Sequence, residues 1–281
     1  MSEILSVQSS VVYGRVGNST AVFALQRLGH DAWALPTVLL SSHSGYPDFT
    51  GRRLPAEAVA ELVAGLDRLG VPARVDALLT GYLGAPDTAR ATAALARRMR
   101  GRAGLVYLCD PVLGDEGPGL YLPDEVGEVL RAELLPLADI ATPNAFELAW
   151  LTGTRPADLA QTLAAARALA AMGPRQVFVT SVSAGLPPDE IGLLAVEGER
   201  AVLVRTPRVD HAAEGAGDLA SALVLAHRLA GRDLAETAER TAASMHAVIA
   251  ATRAAGQREL AVVANQDFLA EPPRRFPAQP L

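Results

Sequence analysis

An α/β domain with a mostly parallel central sheet is the fold class this sequence predicts, and three observations predict it. Short apolar runs of strand length alternate with longer amphipathic runs from end to end. Proline, Asn or Asp, the residues that open helices, head most of the long runs. One late pair of apolar runs is separated only by Glu197-Gly198-Glu199-Arg200, the spacing of an antiparallel hairpin at one edge of the sheet. A chain of 281 residues can bury a large core, and no linker or charge block divides it, so residues 1–281 are expected to form one domain.

The elements follow in chain order. Ile4–Val7 reads as the first strand, and Asn18 is positioned to cap a helix running to about Leu28. Ala32–Leu35 is the second strand, followed by a helix from Pro55 to about Leu69. Ala77–Leu79 precedes a helix that Pro86 opens and that ends near Arg100. Leu105–Cys109 leads to a helix opened by Pro123, and Ile140–Ala141 to one opened by Asn144 and another by Pro156. Gln176–Thr180 leads into the hairpin of Ile191–Val196 and Ala201–Arg205. Helices after Gly217 and from Asp233 to about Ala255 complete the pattern, and Pro272 to Pro280 reads as a polar, proline-containing tail.

Composition removes whole mechanisms. All 25 basic residues are arginine, so a P-loop lysine, a kinase strand lysine and a lysine imine are each impossible here. Any phosphate chemistry must draw its positive charge from backbone amides, arginine and a metal ion. The net charge of −6 argues against a nucleic-acid or anionic-membrane surface. Arg97, Arg98, Arg100 and Arg102 cluster, but at the end of a helix, where they complement its dipole. The single cysteine, Cys109, lies in an apolar run and is expected to be buried and inert; the chain fits a reducing, cytoplasmic setting with no membrane partner.

The most informative stretch is Glu214-Gly215-Ala216-Gly217-Asp218, where two glycines and a carboxylate open an alanine-rich helix. Glycines at a helix start let backbone N–H groups approach an anion, and the helix dipole adds about half a positive charge. Asp218 beside such a site is able to take a proton from a hydroxyl that attacks a phosphoryl group. The same residues equally suit a tight turn with Asp218 as a capping acid.

Ligands of open α/β sheets bind beyond the carboxyl ends of the strands, so the segments that follow strands carry the rest of the argument. They include Gln8-Ser9 with Val11-Val12-Tyr13-Gly14, Ser42-His43-Ser44-Gly45-Tyr46 and Thr80-Gly81-Tyr82-Leu83-Gly84. Asp110-Pro111-Val112-Leu113-Gly114-Asp115, Thr142-Pro143-Asn144 with Glu147, and Gly215-Ala216-Gly217-Asp218 complete them. In order and spacing these segments resemble the pyridoxal kinases of the ribokinase-like superfamily, over nearly the whole chain.

The resemblance implies a three-layer α/β/α sandwich and ATP-dependent phosphorylation of the 5′-hydroxymethyl group of pyridoxal, with pyridoxine and pyridoxamine as related substrates. It implies that Ser9 bonds the pyridine nitrogen, that Ser44 and Gly45 contact the ring substituents and that Tyr82 stacks on the ring, Asp218 being the general base. Asp110 and Glu147 are implied to organise Mg²⁺, partly through water, around the ATP phosphates. Thr142, Thr180 and Ser181 are implied to offer hydroxyls to phosphate, and Thr206, Pro207, Arg208 and Val209 to flank adenine. Gly215, Ala216 and Gly217 are implied to form the anion hole, and the protein to be a homodimer.

The chain departs from the family in three places: Ser44 stands where threonine is usual, Ala216 where threonine or valine is usual, and Asp210 to Gly215 is about three residues short. Two other readings compete. One is a hydroxymethylpyrimidine or sugar kinase of the same fold, against which stand the absence of a cysteine near the Gly-Ala-Gly-Asp turn and of a paired-glycine segment near the start. The other is a non-catalytic B6 carrier, against which stands the retention of Asp110, Glu147 and Asp218. His43 is able either to line the substrate pocket or to hold its loop in shape; His30, His211, His227 and His246 lack metal-ligand spacing.

Overall fold

The computed structural model describes residues 1–211 and 214–281. Its strands are β1 (Glu3–Val11), β2 (Asp31–Leu40), β3 (Gly51–Arg53), β4 (Ala77–Thr80), β5 (Val106–Cys109), β6 (Gly114–Asp115), β7 (Gly119–Leu120), β8 (Ile140–Ala141), β9 (Gln176–Val182), β10 (Glu190–Glu197), β11 (Arg200–Pro207) and β12 (Ala278–Pro280). Its α-helices are α1 (Asn18–Arg27), α2 (Ala56–Arg68), α3 (Val71–Arg74), α4 (Pro86–Met99), α5 (Asp124–Val129), α6 (Ala145–Thr152), α7 (Leu159–Ala170), α8 (Ala216–Leu229), α9 (Leu234–Ala254) and α10 (Asp267–Ala270).

The central sheet runs β12-β11-β10-β9-β8-β5-β4-β1-β2-β3, with β6 and β7 pairing apart from it. From β2 to β9 the neighbours are parallel; β3 closes one end antiparallel, and β10, β11 and β12 extend the other. Successive strand residues point to opposite faces, which divides the apolar runs between two cores. Leu5, Leu78, Tyr107 and Val177 face the core under α2, α4 and α7, whereas Ile4, Leu79, Leu108 and Phe178 face the one under α1, α8 and α9. A sheet buried on both faces needs continuous apolar strands, and these strands have them.

Three details differ from expectation. Asn18 is the first residue inside α1, with Gly17 as its cap; the Asn18 side chain reaches back, its Nδ2 donating to the Gln8 carbonyl at 3.0 Å and to Ser10 Oγ at 3.2 Å. The helix expected from Pro156 begins at Leu159, because the Asp158 carboxylate accepts from the Gln161 N–H at 2.8 Å and caps it there. The chain end is more than a tail: Ala278–Pro280 pairs with β11 and Phe276 is buried, so the β10–β11 hairpin is one strand in from the edge. The clustered arginines are paired singly, Arg98 with Asp67, Arg97 with Glu133 and Arg100 with Asp139 through two bonds of 2.6 and 2.9 Å. Cys109 is buried as expected, and burial pushes its thiol up to about 12.

Candidate active site

Strand β1 lies between β2 and β4, so the chain order reverses there and a crevice opens beyond the carboxyl ends of β1 and β4. Ser9 stands at the β1 side of it, where the pairing with β2 shifts register between Gln8 and Ser10. Tyr82 follows β4, and the preceding Gly81 sits so close to β1 that a Cβ there would lie 2.4 Å from Gln8 Oε1. Tyr82 is half-buried; burial raises its hydroxyl while neighbouring Arg53 opposes the shift.

Gly17 joins this crevice to the Gly-Ala-Gly-Asp turn. It adopts φ 55°, its position leaves no room for a Cβ against Ser9 Oγ, and its N–H donates to Asp218 Oδ2 at 2.8 Å. Asp218 therefore sits across Gly17 from Ser9, in the first turn of α8. The cap of α8 is Gly215, at φ 82°, packed so tightly that a Cβ would lie 1.8 Å from the Arg15 carbonyl oxygen. Only glycine fits, and the free N–H groups of the first helical turn face outward from it. Burial pushes the Asp218 carboxyl up to about 6, Glu214 adding to the shift and the Gly17 N–H opposing it. That value suits a base working near neutrality.

Two further carboxyls lie deeper. Asp110 follows β5, is 3% exposed, and accepts from Ser221 Oγ at 2.8 Å. Burial, with the Asp218 charge second, pushes it up to about 8. Glu147 is 4% exposed in the first turn of α6 and forms a capping box: Oε2 accepts from the Asn144 N–H at 2.9 Å while Asn144 Oδ1 accepts from the Glu147 N–H at 2.8 Å. Its Oε1 accepts from the Leu113 N–H at 3.0 Å. Burial and then the Asp110 charge still hold the Glu147 carboxyl well above its usual range. Glu147 is thus both a cap and one of a pair of buried acids that repel each other.

Residues from β9, β10, β11, α8 and α9 line a cleft of about 460 Å³ that reaches the Ala216-Gly217 turn. Its wall includes the predicted Thr180, Ser181, Thr206, Pro207, Arg208, Val209, Ala216 and Gly217, together with Asp115, Met245 and His246. Ser181 holds φ 57°, a left-handed conformation at the point where β9 shifts register against β10, between the pairing of Val179 with Leu194 and that of Val182 with Gly192. Thr142 is placed otherwise: it is buried, with its hydroxyl 2.8 Å from Ser221 Oγ, inside the Asp110 network and not on the cleft wall. Ala212 and Ala213, within the shortened stretch before Gly215, lie outside the described residues.

Ser44 and Gly45 are exposed on the loop after β2, outside that cleft. His43 holds the loop in shape: it is 6% exposed, and its Nε2 lies 2.8 Å from Glu259 Oε1. Sequence reasoning missed Ser221, whose hydroxyl also lies 3.0 Å from the Gly217 carbonyl and so ties the turn to Asp110. Its position three residues after Asp218 places it one helical turn on, on the same side of α8, but does not point to Asp110 as its partner. It also missed Arg15, which directly follows the Val11–Gly14 segment, and Glu259, which is distant in sequence from every motif and brought in only by the fold.

A crevice at the switch point, joined through Gly17 to a glycine turn at a helix start with Asp218 beside it, suits transfer of a phosphoryl group to a small molecule. Residues 53–263 match the phosphomethylpyrimidine kinase family. Pyridoxal kinase PdxY of Corynebacterium diphtheriae is 42% identical over 97% of this chain and 97% of its own, and that of Rubrobacter xylanophilus 42% identical over 98% and 96%. The solved pyridoxal kinase of Leishmania donovani in complex with ADP and pyridoxamine superposes with a TM-score of 0.94 at 31% identity over 100% of both chains. A putative phosphomethylpyrimidine kinase of Bacteroides thetaiotaomicron superposes at 0.91 with 26% identity over 100% of this chain and 98% of its own. The chain belongs to the pyridoxal kinase family.

Proposed function

We propose that the protein transfers the γ-phosphoryl group of ATP to the 5′-hydroxymethyl group of pyridoxal and related B6 vitamers, with Asp218 as the base. The observation that carries the reading is Asp218 itself: raised to about 6, bonded by the Gly17 N–H and set in the first turn of a helix whose start is able to receive an anion. Asp218 takes the proton of the attacking hydroxyl, and the N–H groups of the Gly215-Ala216-Gly217 turn stabilise charge that develops on the phosphoryl oxygens. Ser9 and Tyr82 position the flat ring across the crevice, Tyr82 by stacking and Ser9 at the ring nitrogen. The cleft of Thr180, Ser181 and Thr206–Val209 receives the nucleotide, and Thr142 supports the acid network.

Asp110 and Glu147 fit a Mg²⁺ ion in one respect the structure makes explicit: both are buried acids whose charged forms are destabilised, and a cation relieves that. Mg²⁺ takes oxygen ligands and keeps several waters, which suits a site of two carboxyls completed by phosphate oxygens. No cluster of three or more His, Cys, Asp or Glu side chains suited to a metal occurs among the described residues. Bound there, the ion would supply charge neutralisation.

No helix among the described residues is long and apolar enough to cross a membrane. The proposal includes a cytoplasmic homodimer acting as one domain per chain. Sedimentation equilibrium checks the dimer: a mass near twice 29.3 kDa supports it, and one near 29.3 kDa rejects it. The activity is tested by a competitive panel of pyridoxal, pyridoxine, hydroxymethylpyrimidine and ribose with Mg²⁺ and ATP. Preferred turnover of a B6 vitamer is expected. Preference for hydroxymethylpyrimidine, the reading that the family match at residues 53–263 favours as second, would displace it.

A further inference from the structure

One carboxylate outside all the motifs receives donors from three parts of the chain. Glu259 Oε2 accepts from the Arg15 N–H at 2.6 Å, in the loop between β1 and α1. Its Oε1 lies 2.8 Å from His43 Nε2 and accepts from the Tyr46 hydroxyl at 2.7 Å. His43 and Tyr46 are the residues immediately flanking Ser44-Gly45. The pair itself is also gripped: His43 Nδ1 accepts from the Gly45 N–H at 3.2 Å, and Arg258 donates to the Gly45 carbonyl while its guanidinium lies 4.2 Å from the centre of the Tyr46 ring. With Nδ1 accepting, the neutral ring carries its proton on Nε2 and donates to Glu259.

The backbone of Glu259 reaches the other side of the site. It forms a parallel bridge with Glu214, the residue before Gly215, and Gly215 packs on the carbonyl of the same Arg15 whose N–H the Glu259 carboxylate holds. Burial alone would raise the Glu259 carboxyl, yet Tyr46, His43 and Arg15 together hold it below its ordinary value, so it stays an anion. The Tyr46 hydroxyl, pushed up to about 12 chiefly by its bond to Glu259, stays a donor.

We infer that Glu259 is a positioning residue for the vitamer, fixing the Ser44-Gly45 loop against the β1–α1 loop and the Gly215 turn before substrate arrives. The inference rests on the reading that Ser44-Gly45 faces the B6 ring. Its side chain acts on the vitamer side, since Glu259, His43 and Tyr46 lie outside the cleft assigned to the nucleotide, while its link to the Gly215 turn runs through the backbone, which the substitutions below leave in place.

The test is a pair of variants, Glu259→Gln and Tyr46→Phe, with KM measured separately for pyridoxal and ATP and Tm recorded. Glu259→Gln removes the charge and sets an amide N–H₂ against donors. It is expected to raise KM for pyridoxal about tenfold or more while KM for ATP changes less than about twofold. Tyr46→Phe removes one donor and is expected to raise KM for pyridoxal about threefold, with ATP again unaffected; it decides the matter if Glu259→Gln does not fold. Equal rises in both KM values, or a fall in Tm with both KM values unchanged, would overturn the inference. Parent protein that fails to phosphorylate pyridoxal would instead overturn the functional reading beneath it.

Discussion

At the scale of single residues, the site stores charge where water is scarce. Asp110 has a carboxyl near 8 in the fold against 3.8 for an ordinary aspartate, so the stability it contributes is complete below about pH 4 and is lost as pH rises toward 8. Without Mg²⁺ or nucleotide, Asp110→Asn should therefore raise Tm at pH 8, by roughly 2–4 °C for each kcal/mol of relieved penalty, while lowering turnover. A Tm unchanged at pH 8 would mean that Asp110 carries no such strain. Glu147→Gln should shift the Mg²⁺ midpoint of the rate upward and leave pyridoxal KM near the parent value. An unmoved midpoint would reduce Glu147 to the helix cap it also is. These carboxyls were legible in the sequence through the resemblance of their segments to the pyridoxal kinases; Ser221, which holds Asp110 to the turn, was not, since a serine in an alanine-rich helix carries no signal of its partner.

Helices and strands were legible where their residues obey local physics, and least so where tertiary contacts decide. The capping box of Asn144 and Glu147 and the prolines ahead of α2, α4 and α5 place helix starts within a residue of expectation. Asn18 failed as a cap because it stands inside the first turn behind Gly17, with its Nδ2 turned back to Gln8 and Ser10 and its Oδ1 bonded to no helix N–H. Strands β3, β6, β7 and β12 are two or three residues each, too short for a period to register. The turn before α8 depends on one glycine: Gly215→Ala would drive a Cβ into the Arg15 carbonyl and force a left-handed alanine. It should lower kcat/KM for pyridoxal by about 10²-fold through displacement of Asp218, with far-UV circular dichroism unchanged. Retention of kcat/KM within about threefold would show that the turn tolerates the shift.

Across the whole molecule, the sheet assembles the site from segments that are far apart in sequence. β1, β4, β5 and β8 each deliver one loop to the same crevice, and the chain end closes the far edge of the sheet. Phe276, 4% exposed, packs in the core under α9 with its ring 5.2 Å from that of His246. Phe276→Ala should lower Tm by roughly 10 °C in a single cooperative transition. Two separate transitions would contradict the expectation that residues 1–281 unfold as one domain. The parallel core was legible because both-face burial demands continuous apolar strands. The closure by β12 was not, because proline and polar residues disguise an edge strand as a tail.

The central claim is that Asp218 removes the proton of the attacking hydroxyl, and single-turnover phosphoryl transfer by Asp218→Asn, alongside equilibrium binding of pyridoxal, tests it most directly. The substitution keeps the volume and an oxygen for the Gly17 N–H but removes the proton acceptor. Transfer should slow by about 10²–10⁴-fold with pyridoxal affinity nearly unchanged, and the parent rate should fall about tenfold per unit as pH drops below about 6, where Asp218 becomes protonated. Transfer by the variant within about threefold of the parent would contradict the assignment.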